Sequence, residues 1–405
     1  MNISNSLYTS KKLLLSLVTI IFSFGSYSQI VTIPDGNFKT YLVGNAAINT
    51  NGDAEIQVSE ASVFTGQIFC SNLGINDLTG IEAFIALTDL TCNSNQLTSI
   101  NLSQNTALTF LTLNLNQLTS LDLSQNTALV TILCHHNLLA NITLGSNSVL
   151  NLLHTYSNQL TSLDVTQNTA LTVLYCFDNQ ITGIDVTQNT MLIQLYVNEN
   201  QLSGIDVSQN ADLLWLYCND NPITSLDVSQ NLNLTKLYCY NNQLTSLDVT
   251  QNVDLTQLYC LNNSLTSLNA ANGNNTNFTV FNTTINPNLT CIEVDDATWS
   301  TANWTDIDPA SSFSNDCNPI CIVNIPDANF KTYLVGNAAI NTNGDAEIQC
   351  SEASAFTGFI SCSSLGIVDL TGIEAFTSLT GLDCGYNSIS AINLSLNTSL
   401  TMIWC

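Results

Sequence analysis

Residues 171–191, LTVLYCFDNQITGIDVTQNTM, are one turn of a repeat, and their reading decides the fold. Leu171, Leu174 and Cys176 follow the spacing L-x-x-L-x-C, Asn179 closes it at the ninth place, and Leu192 reopens the frame 21 residues on. The same frame opens at Leu87, Leu108, Leu129, Leu150, Leu171, Leu192, Leu213, Leu234 and Leu255, nine turns without an insertion. Asn fills the ninth place in all nine, from Asn95 to Asn263. Alternation of the L-x-C type buries every second side chain of a short strand. The Asn marks the point where the chain turns away, and its amide can bond the backbone of neighbouring turns. One such turn cannot bury its own apolar face, so turns must stack.

The second half of the turn echoes the first. Ile181, Ile184 and Val186 repeat the apolar spacing, and a second Asn column runs from Asn105 through Asn126, Asn147, Asn168, Asn189, Asn210 and Asn231 to Asn252. This is the leucine-rich-repeat signature. It predicts a β-rich solenoid with two short parallel strands per 21-residue coil, L-Y-C on one wall and L-D-V on the other, roughly 40 Å long. The pattern resembles the nested bacterial repeats of the IRREKO class, over Leu87 to about Leu268.

If Leu171, Leu174, Cys176, Ile181, Ile184 and Val186 build the coil, then Val173, Tyr175, Phe177 and Asp178 point outward. The Tyr position recurs as Tyr175, Tyr196, Tyr217, Tyr238 and Tyr259 on five successive rungs. Trp215 and Tyr240 lie nearby, with Asp178, Glu199 and Asp220 beside them. A strip of exposed aromatic rings about 20–25 Å long exceeds what an ordinary surface carries. Aromatics with carboxylates and amides suit a protein or glycan ligand; equally, stacked Tyr rings stabilise a sheet by themselves. On the opposite wall Asp164, Asp185, Asp206, Asp227 and Asp248 form a carboxylate column, read as a solvated face or a place for cations.

Cys70, Cys92, Cys134, Cys176, Cys218, Cys239 and Cys260 share one inward column with Leu113, Thr155 and Val197, so they read as buried packing thiols. A straight column cannot surround a metal ion. His135, His136 and His154 form no catalytic or metal constellation, and the sequence carries no nucleophile motif or phosphate loop. No enzyme is predicted.

A unit of about thirty residues occurs twice. IPDGNFKTYLVGNAAINTNGDAEIQVSEAS begins at Ile33 and IPDANFKTYLVGNAAINTNGDAEIQCSEAS at Ile325, offset by 292. Both read as small helical caps that cover the apolar end of a stack. Each contains an EF-hand-like loop: Asn49, Asn51, Asp53, Glu55 and Glu60 in the first copy, Asn341, Asn343, Asp345, Glu347 and Glu352 in the second. Weak calcium binding is the expectation, with a degenerate loop folded by packing alone as the alternative. Asn stands at position one and Ala at position six, where EF-hands favour Asp and Gly. The second copy has Cys321 and Cys350 where the first has Gln29 and Val58. Two cysteines gained together predict a mutual disulfide, although two unrelated neutral changes would look the same.

The N-terminus carries Lys11 and Lys12, an apolar run Leu13–Phe24 and a small-x-small site at Ser26–Ser28. This predicts a signal peptide over 1–28, export, and no transmembrane segment in the mature chain. The net charge of -26 would repel nucleic acid and anionic lipid. The whole pattern resembles exported leucine-rich-repeat proteins of Bacteroidetes-type bacteria. That resemblance implies secreted or outer-surface localisation, protein or glycan binding, and a C-terminal cap around CIEVDD closed by a Cys291–Cys317 disulfide. The expected layout is signal 1–28, cap 29–86, array 87–268, C-terminal cap 269–318, second cap 319–378, and a second array starting at 379 and truncated at 405. The expected function is non-enzymatic recognition or adhesion; the alternatives are an accessory module of a larger secreted polysaccharide-degrading enzyme, or a spacer.

Overall fold

The computed structural model describes residues 29–317 and 321–405, so the predicted signal segment lies outside the described residues. The chain divides into two compact units, 1–315 and 316–405.

The first unit is a leucine-rich-repeat solenoid. Eleven parallel strands of three residues each form one sheet, from Gln67–Phe69 through Trp215–Tyr217 to Val280–Asn282. Leu195, Leu216 and Leu237 sit side by side in register and point inward, each fully buried. Their neighbours Tyr196, Tyr217 and Tyr238 face the other way and are half-buried. Each coil closes on Leu171-type, Leu174-type and Cys176-type residues from one wall and Ile181- and Val186-type residues from the other. The sheet reaches beyond the nine perfect repeats: Val280–Asn282 pairs with Gln257–Tyr259 across a 23-residue offset, and Asn286 takes up the Asn column there.

The coil turns at its eighth residue. Ser94, Leu115, His136, Ser157, Asp178, Glu199, Asp220, Asn241 and Asn262 all adopt left-handed backbone, with φ between 50° and 57°. Leu, His and Glu hold this unfavourable region because their backbone stays in the ladder, as in Leu115 N–H to His135 C=O at 3.1 Å. The ninth-place Asn then locks the turn. Asn221 donates to the carbonyls of Val197, Cys218 and Asn219 at 3.1–3.2 Å and accepts from Leu202 N–H at 2.9 Å. The second column is only half satisfied. Asn210 donates to Val186 and Asn189 carbonyls at 3.1 and 2.8 Å, but its buried Oδ1 has no donor.

The opposite wall is less regular than two strands per coil. Strands form at Ser120–Asp122 with Asn141–Thr143, and in a four-stranded sheet from Ser246–Asp248 to Ser312–Ser314. Between them, residues 163–165, 184–186, 205–207 and 226–228 run without ladder bonds. The remaining wall contacts there stretch to 3.4 Å, Thr182 to Thr161 and Thr224 to Ser203. Gly183 and Gly204 fall within this region, and glycine weakens a strand.

At the N-terminal end, helix Gly36–Val43 buries Phe38 and Leu42, and Asp35 caps it by accepting from Asn37 and Phe38 N–H. The second unit repeats this cap with helix Ala328–Val335 capped by Asp327, then starts a three-stranded parallel sheet, Phe359–Ser361, Gly381–Asp383 and Met402–Trp404. Cys321 and Cys350 are bonded, Cα to Cα 5.3 Å. The same backbone contact exists without sulfur in the first copy, where Val58 N–H reaches Gln29 C=O at 2.7 Å. Cys291 and Cys317 are also in disulfide form.

Candidate functional site

The five Tyr rings form a continuous stack on the outer face of the large sheet. Strand pairing sets equivalent residues one rung apart, so each ring must meet the next. Centroids are 4.2 Å apart for Tyr175–Tyr196, Tyr196–Tyr217 and Tyr217–Tyr238, and 4.5 Å for Tyr238–Tyr259. The rings begin nearly parallel at 13° and open to 61° at the last pair. Tyr175 donates to Gln194, and Tyr238 donates to Gln257 Oε1 at 2.8 Å. Burial, reinforced by the neighbouring phenols, raises the pKa of Tyr196 and of Tyr238. At the parallel end the ring faces are spent on one another, and toward Tyr259 the rings tilt until the last pair meets edge to face.

Sequence reasoning missed the other half of this surface. His154 stacks on Tyr175 at 4.4 Å and 5°, extending the file by one rung. A second file runs beside it: His135 on Tyr156 at 4.3 Å, and Tyr156 on Phe177 at 4.4 Å. The signal was present, because His135, Tyr156 and Phe177 lie 21 residues apart. His135 and His154 each keep a buried ring nitrogen without a partner. Burial, with help from His136 and His154, lowers His135 to about 4, and burial alone does the same for His154. These imidazoles act as neutral aromatic rings in the stack. Among the described residues no group of three His, Cys, Asp or Glu side chains could hold a metal ion.

The second file loses its aromatics at Asn198 and Asn219 and regains one at Tyr240. Along this gap lie Glu199 and Asp220, with Asp178 one rung before. Asn198 donates to Glu199 at 3.2 Å, and Asn219 and Asn241 donate to Asp220 at 2.7 and 2.6 Å. Burial, then the charges of Asp220 and Glu199, raise the pKa of Tyr240. Trp215 is the first residue of its strand and carries the Lys236 ammonium 4.5 Å above its ring.

The acidic cap loops are cross-bonded turns. Glu60 accepts from Thr50 N–H and Oγ1, Asn51 N–H and Gln57 N–H, at 2.8–3.0 Å. Burial raises its pKa, yet these bonds outweigh that effect and leave it lowered. Asn49 points its amide at Val43 and Asp53 carbonyls, Asn51 and Gln57 donate to Asp53, and Glu55 pairs with Lys39 at 2.7 Å. The left-handed residue is Gly52, at position four, whereas Ala54 at position six is not left-handed. The second loop matches: Glu352 accepts from Thr342, Asn343 and Gln349, Asn341 donates to Asp345 C=O, and Glu347 pairs with Lys331. As arranged, the donor set is a hydrogen-bonded turn that would have to open to surround a calcium ion.

Two further columns run along the coils. The thiols of Cys134, Cys176, Cys218 and Cys260 are fully buried, and burial pushes each up to about 12. In the opposite-wall column, Asp164 and Asp185 accept from the hydroxyl and N–H of Thr166 and Thr187, which lowers their pKa values against the repulsion of the next Asp.

No family model matches the chain. A stretch of 73 residues is 41% identical to Internalin J of Listeria monocytogenes; it covers 18% of this chain and 8% of that protein's length. A solved structure of the functional domain of InlJ from Listeria monocytogenes, described as including a cysteine ladder, is similar over 92% of this chain and 74% of its own, at 27% identity and a TM-score of 0.52. A leucine-rich-repeat protein of Leptospira interrogans aligns over 86% of this chain and 85% of its own, at 16% identity and a TM-score of 0.49. Among the described residues no helix is long and apolar enough to cross a membrane.

Proposed function

We propose that the array is a non-enzymatic recognition or adhesion module, exported by a bacterium to its surface or surroundings, that binds its ligand through the aromatic face of the large sheet. The observation that carries this is the continuous ring stack from His154 to Tyr259, flanked by a second file on the same face. Sheet stability alone needs no aromatic on every rung, because Thr112 and Leu133 hold the same register position elsewhere. The stacking also favours a protein over a glycan. Sugars pack on open ring faces, and from His154 to Tyr196 those faces are occupied by the next ring, at 5–13°. Amphipathic edges with amides and carboxylates match a protein surface better.

The test is capture by the mature chain of surface proteins from candidate host or neighbour cells, alongside a glycan array. The variant Tyr196→Ala, Trp215→Ala, Tyr217→Ala should abolish capture while circular dichroism and melting remain those of a folded array. Undiminished capture would remove this face from the account. Calcium at the cap loops is a separate proposal: millimolar calcium should raise the melting temperature, and an unchanged melt leaves them as packing turns.

A further inference from the structure

The recognition face is chemically one-sided. Asp178, Glu199 and Asp220 occupy one position on three successive rungs, so at strand spacing they stand about 5 Å apart along the edge of the aromatic surface. Like charges so placed repel each other. Among the described residues none of the three has a cationic partner, since the ion pairs there are Lys39–Glu55 and Lys331–Glu347. Glu199 accepts from the Asn198 amide and Asp220 from the amides of Asn219 and Asn241, all neutral donors. Asn219, 2% exposed and next to Asp220, has a carboxamide oxygen without any donor. Acceptors are in excess, and the missing groups are donors that carry positive charge.

The face also shows how it holds a cation. Lys236 is the sole basic residue of the array, and it lies over Trp215 instead of pairing with a carboxylate. Between Phe177 and Tyr240 the second file has Asn198 and Asn219 in place of rings, with Glu199 and Asp220 beside them.

Resting on the recognition role argued above, we propose that the partner is a basic protein segment whose Arg or Lys side chains enter the strip between Phe177 and Tyr240 and pair with Asp178, Glu199 and Asp220. The aliphatic stems lie against the ring edges, and the guanidinium or ammonium heads supply the lacking donors. Arg fits better than Lys, because its planar fork can bond a carboxylate with two N–H groups and stack on an aromatic at once.

The test uses synthetic peptides of equal length, one rich in Arg and Tyr and the others with Glu or Gln replacing Arg, binding to the mature chain at low and near-physiological salt. The first variant is Asp178→Asn, Glu199→Gln, Asp220→Asn, which keeps every ring. The control is Asp164→Asn, Asp185→Asn, Asp206→Asn, which removes equal charge from the opposite wall. The expected result is binding of the Arg peptide alone, weakened about tenfold by the first variant and less than about twofold by the control. Equal loss in both variants would reduce the effect to net charge and overturn the proposal, as would a first variant that binds like wild type. If the Tyr196, Trp215, Tyr217 variant abolishes capture of a natural partner while the carboxylate variant does not, the recognition role stands and the basic partner falls. If neither variant changes capture, both fall.

Discussion

The two Asn columns look alike in sequence yet should respond differently to truncation, and the difference can be worked out from their bonds. Asn221→Ala removes three donated bonds and, with them, the acceptor of Leu202 N–H. The Val197 and Cys218 carbonyls keep Asn200 and Asn242 as donors. Leu202 N–H keeps nothing, and it is buried. An orphaned buried donor costs about 1–3 kcal/mol, and the lost bonds and small cavity add about 1 kcal/mol. Asn210→Ala is different. It removes two donated bonds, but Val186 and Asn189 carbonyls retain backbone donors, and an orphan Oδ1 disappears with the side chain. That change should cost about 1 kcal/mol. Urea unfolding followed by circular dichroism reads both. With m near ~3 kcal/mol/M, Asn221→Ala should lower the midpoint by about 1 M and Asn210→Ala by about 0.3 M. A larger loss for Asn210→Ala would refute the reasoning that column geometry, and not Asn burial, sets the cost.

Three further outcomes follow from local features. Leu115 holds a φ of 57°, so Leu115→Asn should stabilise the array by about 1 kcal/mol in the same urea assay. Replacing Cys321→Gln and Cys350→Val restores the residues of the first copy; the second unit should keep its helical signature but lose roughly 3–4 kcal/mol, visible as a lower melting temperature under non-reducing conditions. His135 and His154 titrate near 4 in the folded chain and near ~6.5 when unfolded, so the unfolded chain binds more protons between those values. Their contribution is complete above about pH 6.5 and is lost as pH falls toward 4. Both rings are partly exposed, which trims the effect to about 1 kcal/mol each. A His135→Gln, His154→Gln variant should flatten the melting temperature over that window.

The fold was legible because a strict 21-residue period leaves few other ways to bury one Leu every third or fourth residue. The inward Cys column and the first Asn column were legible for the same reason: substitution by Leu, Val or Thr at one column, and invariance at the other, reveal burial. The opposite wall was not. L-D-V has the pattern of a strand everywhere, but whether ladder bonds close depends on how far the coils spread there, which no single coil encodes. The histidines were missed because His was judged as a chemical group, while here it serves as a flat ring in register with Tyr175 and Tyr156. The acidic loops matched a spacing, and spacing does not say which way a carboxylate turns. Glu60 turns toward the Gln57 N–H at the start of its own helix and toward the Thr50 and Asn51 N–H groups of the loop.

Alternation within one rung tests the account most directly. In the chain from Gln29 onward, Leu216→Cys and Tyr217→Cys differ by one residue and, on this account, by opposite faces of the sheet. Maleimide labelling under native conditions, followed by peptide mapping, should modify the cysteine at 217 within minutes. The cysteine at 216 should stay unmodified until the chain is unfolded, as should the native thiol at Cys218. Prompt native labelling at 216, or protection at 217, would contradict the division between a packed interior and a face free to meet a partner.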